Sequence, residues 1–297
     1  MTQRPDSGAA LQLRRAAEAQ ASVLPPLLVA AEQLAATVQL GAHGRRRVGV
    51  GEEFWQYRPV QHGEDARFID WRRSARSDAQ YTREREWQLA QSVYLWADDA
   101  ASMQFAGDGA GPTKADRARL LALALAVLMI RGGERVGLTG PLAPPRPGRA
   151  QLLTIAQVLA GASSEAELGA PEVAGISAQS RAVFLSDFFG DLDHLRASVG
   201  ALADRGVQGV MLQVLAPEEE DFPFQGRTIF ESVGGTLRHE TRKAADLRAR
   251  YLDRLAARRE ALAHLAQTAG WQFSTHHTGS PAQGALLWLH AALGRGA

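Results

Sequence analysis

At 297 residues, with 45% apolar and 22% charged side chains, the chain is long enough for one large core, or for a core with a smaller appendage. Its 33 basic side chains nearly cancel 32 acidic ones and leave a formal charge of +1, which excludes a whole-molecule pull toward a polyanion or a lipid surface. The lack of cysteine excludes disulfides and thiolate metal sites, and no export signal is recognisable, so the expected location is the cytoplasm.

From Leu11 to Leu40 the composition is that of helices, broken by Pro25 and Pro26. The break predicts a second helix over about Leu27–Leu40 and makes residues 1–40 a helical lead. Residues 41–90 read as a glycine-rich basic loop followed by extended chain. Tyr81, Arg83, Arg85, Trp87 and Leu89 alternate with Thr82, Glu84, Glu86 and Gln88, which is strand periodicity.

Residues 91–297 change character. Short apolar runs at Ser92–Ala97, Arg135–Gly140, Arg181–Asp187, Val207–Ala216 and Trp271–His276 alternate with helical stretches. One of these helices, expected over Thr113–Arg131, holds the apolar run Leu120–Ile130. That run is shorter than the roughly 20 residues needed to span a bilayer, so it reads as a buried core helix and no membrane span is expected. Glu218–Glu240 reads as a hairpin insertion at the sheet edge. The alternation predicts an α/β fold with a doubly wound, mostly parallel, Rossmann-like sheet, preceded by a helical and β-strand extension. Ligands of such sheets bind beyond the carboxyl ends of the strands. The residues to inspect are therefore Asp98, Asp99, Ser102, Thr139, Ser186 and Asp187.

Most catalytic motifs fail on their chemistry. In "GDGAGPTK" (Gly107–Lys114) a proline stands where a phosphate cradle needs an N–H donor, and the lysine is misplaced by two positions. His276 and His277 are adjacent and would point to opposite faces of a strand, so they cannot share an ion. Neither a Gly-x-Ser-x-Gly elbow nor an HExxH helix is present. Asp98 and Asp187, at two strand ends, together with Ser102, supply oxygens that suit a hard cation such as magnesium. The competing reading is that these aspartates cap helices or bond loop amides.

The segment Asp98-Asp99-Ala100-Ala101-Ser102, with Asp187 in "LSD", resembles the metal-ion-dependent adhesion site of von Willebrand factor A-type domains. That site uses Asp-x-Ser-x-Ser, a threonine from a second loop and an aspartate from a third. Here the middle hydroxyl is missing and Thr139 matches only by position, so the resemblance implies a degenerate, weak magnesium site of Asp98, Ser102 and Asp187. Upstream, Glu53-Phe54, Gly63-Glu64-Asp65, Arg67, Ile69-Asp70-Trp71-Arg72, Ser74-Ala75-Arg76 and Arg83-Glu84 resemble the signature of the bacterial family known as domain of unknown function 58. Members often sit beside a MoxR-type AAA+ ATPase. The resemblance implies a chaperone-like interaction or assembly factor that works with such an ATPase on a client protein, and not an enzyme. A magnesium-dependent hydrolase or phosphotransferase using the same crevice is the alternative.

The signature is dense in arginine: Arg67, Arg72, Arg73 and Arg76 lie among Glu64, Asp65, Asp70, Asp78, Glu84 and Glu86. Interleaved carboxylates would compete with any outside anion, so internal pairing is expected, with Asp70 capping a turn and Trp71 filling a joint with the α/β domain. Contact with an acidic partner surface is the second reading. Nucleic acid is not expected, since Arg45–Arg47 is the one uncompensated basic run.

Overall fold

A computed structural model describes residues 26–42, 54–59, 71–75, 81–85, 91–107, 111–161, 164–226, 228–231, 238–241 and 245–294. The chain divides into two compact units, Ala42–Ala90 and the remainder.

The smaller unit contains an antiparallel pair, β1 (Phe54–Pro59) and β2 (Tyr81–Arg85), in which Tyr57 faces Arg83 and Gln56 faces Glu84. Between them lies a one-turn helix, Trp71–Ser74. Ser74 is buried, and its Oγ accepts the Tyr81 N–H at 2.9 Å. Trp71 is 59% exposed. Its neighbour in the signature, Arg72, is exposed as well. Arg67, Asp70 and Arg76, along with Glu64, Asp65, Asp78 and Glu86, lie outside the described residues.

The larger unit is built on five strands: β3 (Ser92–Ala97), β4 (Arg135–Leu138), β5 (Arg181–Ser186), β6 (Gln208–Leu215) and β9 (Gln272–His277). All pair in parallel, in the order β4-β3-β5-β6-β9. An antiparallel bridge between Val136 and Arg146 extends the β4 edge. The expected hairpin forms, as β7 (Thr228–Glu231) and β8 (Arg238–Thr241), but as a two-stranded sheet of its own and not as an edge of the main sheet. A short helix, Pro217–Asp221, precedes it.

Period-two alternation sorts each central strand onto two apolar faces. Val93, Leu95, Val183, Leu185, Val210, Leu212 and Val214 join one cluster with the helices Pro26–Ala42, Lys114–Arg131, Arg149–Gly161 and Ala282–Gly294. Tyr94, Ala182, Phe184 and Met211 join the other with Leu192–Ala203 and Ala245–Thr268. Both faces are thus covered, which is why the strands read as continuous apolar runs. The helix Lys114–Arg131 is buried on nearly every side from Leu121 to Met129. Thr113 starts it with a capping box: its Oγ accepts the Asp116 N–H at 3.0 Å and its own N–H is taken by the Asp116 carboxylate.

The chain leaves β3 toward β4 on one side and later returns to β5 on the other. A doubly wound sheet opens a crevice at such a reversal, beyond the carboxyl ends of the two strands. Asp98 and Asp187 are the residues found there.

Candidate functional site

β3 ends at Asp98, whose N–H still donates to Leu185 O at 2.9 Å, so the ends of β3 and β5 are locked side by side. Asp98 Oδ2 accepts the Ser186 hydroxyl at 2.6 Å, and Oδ1 accepts the Ala100 N–H at 3.0 Å. The same Ser186 Oγ accepts the Phe188 N–H at 2.9 Å. Phe188 itself has φ of 52°, a left-handed conformation that costs a bulky residue energy and is held only where surroundings dictate it. Arg258 contributes to that restraint by donating to Phe188 O at 2.7 Å and to Gly190 O.

Asp187 is held from four directions. Its Oδ1 accepts the Phe189 N–H at 3.0 Å, its carbonyl accepts Gln213 Nε2 at 3.0 Å, and its N–H faces Met103 Sδ at 3.2 Å. Its remaining oxygen, Oδ2, pairs with Lys114 Nζ at 2.9 Å. The same ammonium reaches Glu219 Oε1 at 2.6 Å, and Glu219 Oε2 accepts the Ala216 N–H at 2.8 Å. Lys114 is the first residue of its helix. A long side chain there runs back past the helix N-terminus, which brings Nζ into the crevice. The rings of Phe189 and Phe105, with centroids 5.1 and 5.9 Å away, flank the ammonium, a favourable placement for a compact cation.

Two glycines close the crevice. A Cβ on Gly169 would lie 2.0 Å from Asp98 Oδ1, and one on Gly107, where φ is +64°, would lie 2.1 Å from Glu218 Oε2. The loop carrying Gly169 is tied down by Ala101 N–H to Ala166 O and Ser102 N–H to Glu167 O, both at 2.9 Å. As a result Asp98, Lys114, Ser186 and Asp187 are each 1% exposed.

Charge follows burial. Desolvation pushes the Asp98 carboxyl up to about 6, against the pull of the Ser186 and Ala100 hydrogen bonds, and nearby Asp187 and Asp99 add to the rise. Desolvation also raises Glu219, with the Lys114 ammonium acting in the opposite direction.

Asp98 and Asp187 therefore do meet at the rim of a parallel sheet, and Ser102 lies in the turn Ala101–Gln104 directly after β3. Ser102 Oγ is buried without a hydrogen-bond partner among the described residues, a hydroxyl that a ligand could use. Thr139 is bound through its own N–H to Leu95 O at 2.9 Å. The donor set nevertheless does not fit magnesium. That ion demands six oxygens in near-octahedral array, whereas both Asp98 oxygens are engaged within the protein and the outward Asp187 oxygen carries an ammonium. Among the described residues no group of three or more His, Cys, Asp or Glu side chains is arranged to hold a metal.

Lys114 and Glu219 are the site residues that sequence reasoning missed. Lys114 drew attention only through a phosphate-loop motif that fails. A better signal was available: among 33 basic side chains the chain has two lysines, Lys114 and Lys243, and one of them opens the helix that carries the longest apolar run, Leu120–Ile130. Glu219 sits in "PEEED" directly after β6, another strand end at the same rim.

Fold and site define an α/β protein with an all-parallel five-stranded sheet and a charge-compensated crevice at its switch point. The family model described as "Protein of unknown function DUF58" matches residues 56–261, and the chain belongs to that family. No curated protein matches significantly. Two solved structures are similar at 13% identity, each over 69% of this chain and 100% of its own. They are the conserved hypothetical protein BatB from Bacteroides thetaiotaomicron, with a TM-score of 0.42, and an aerotolerance-related membrane protein from Bacteroides fragilis carrying multiple mutations to serines, with a TM-score of 0.39. Among the described residues of the present chain, no helix is long and apolar enough to cross a membrane.

Proposed function

We propose that this chain is a non-enzymatic interaction or assembly factor of the cytoplasm, acting with a MoxR-type AAA+ ATPase on a client protein. The observation that supports this most is the state of the crevice. The place where a doubly wound sheet would present reactive groups is filled by the protein's own Lys114 ammonium and covered by loops, with Asp98 and Asp187 each 1% exposed. A magnesium-dependent hydrolase or phosphotransferase would need those carboxylates open to its substrate. Family membership supports the ATPase as partner through the signature that the chain shares.

Recognition then belongs to the surface. Trp71 and Arg72, adjacent and exposed in the signature, are of the residue types that dominate binding energy at interfaces. The experiment is a binding titration of the full chain against the purified ATPase. Trp71→Ala combined with Arg72→Glu is expected to weaken binding by about tenfold or more, since one such anchor is worth upward of 1–2 kcal/mol. Unchanged affinity in a folded double variant would refute the surface assignment, and no affinity in the parent chain would refute the partner.

A further inference from the structure

The crevice has the position of a cation site and holds a cation that belongs to the polypeptide. We infer that Lys114 is a tethered substitute for a divalent metal, so that this protein's crevice is completed in cis by an ammonium group and works without any bound ion.

Four observations carry this. Nζ stands 2.9 Å from Asp187 and 2.6 Å from Glu219, which are hydrogen-bond lengths for a charged donor, and Asp187 is the residue that would otherwise face a metal. Two phenyl rings flank the amine; a hydrated divalent ion needs oxygens there, while an ammonium is attracted by the ring faces.

The third observation is the position of Lys114 in its helix. A positive charge at the first residue opposes the helix dipole, and burying it at 1% exposure removes its water. Such a residue persists there only if paired carboxylates offset both costs. The fourth is composition. The chain uses arginine for all but two of its 33 basic residues, yet lysine fills this position. A compact ammonium with three rotatable donors here reaches two carboxylates from different elements.

The inference is independent of the partner proposed above, and its test requires no partner. Manganese and magnesium are titrated into the full chain by calorimetry. In parallel, native and urea-unfolded chains are reductively methylated, and Lys114 is followed by mass spectrometry. The parent chain is expected to show no saturable metal binding. Lys114 is expected to react at least about tenfold more slowly in the native chain, because modification must await local opening. Lys114→Ser is expected to gain saturable manganese binding that a further Asp187→Asn removes.

Metal binding by the parent chain that Asp187→Asn abolishes would overturn the inference, as would a native Lys114 that reacts as fast as the unfolded one. A folded Lys114→Ser that binds no manganese would overturn it too. If that variant does not fold, the parent titration and the labelling decide the matter.

Discussion

Asp98 and Asp187 end neighbouring parallel strands, are equally buried, and are held in opposite ways. Asp187 answers to a cation: Lys114 takes its outer oxygen, and backbone and side-chain donors fix the rest. Asp98 answers to neutral groups alone, the Ser186 hydroxyl and the Ala100 N–H. Burial therefore pushes Asp98 up to about 6. The contrast lies in the partners: at equal burial, Asp187 faces a full charge and Asp98 faces dipoles alone.

The most forceful way to break the contrast is to remove the cation. Lys114→Met keeps the volume but leaves Asp187 and Glu219 buried together without compensation. A loss of about 3–5 kcal/mol is expected in urea unfolding, the usual cost of breaking a buried pair from one side. A loss below about 1 kcal/mol would mean that the ammonium contributes no more than a surface ion pair.

The contrast is sharpened by pH. In the unfolded chain Asp98 releases its proton near 3.8, in the folded one near 6. Between those values the folded state keeps a proton that the unfolded state has lost, so the contribution of Asp98 to stability is fully present below pH 3.8 and is lost as pH rises through about 6. About two pH units correspond to about 3 kcal/mol at most. Asp98→Asn should flatten that stretch of the stability profile without lowering stability at neutral pH. A variant profile with the parent's slope would assign the effect to another group.

The smallest change concerns Ser102. Its hydroxyl is buried with no partner among the described residues, so Ser102→Ala should change stability by no more than about 1 kcal/mol, with a gain as the expected sign. A large loss on thermal unfolding would show that the hydroxyl has a ligand in solution.

The fold was legible because sheet burial writes itself locally. Val93–Leu95 and Ala182–Leu185 are apolar on both faces, and the run from Leu121 to Met129 is apolar on nearly all sides of a helix. The two aspartates were legible for the same reason, as carboxylates close behind the ends of such runs. Lys114 and Glu219 were not. They pair across 105 positions, and Lys114 pairs with Asp187 across 73, so the bonds are created by the sheet order and no local spacing announces them. Of the arginine-rich signature, Trp71 and Arg72 are exposed, while Arg67, Asp70 and Arg76 lie outside the described residues.

Anomalous diffraction from crystals of the full chain soaked in manganese would test the lysine-filled crevice most directly. The account predicts Lys114 Nζ bridging Asp187 and Glu219, with no manganese peak between the strand ends. A peak bound by Asp98, Ser102 and Asp187, with the lysine turned away, would contradict it.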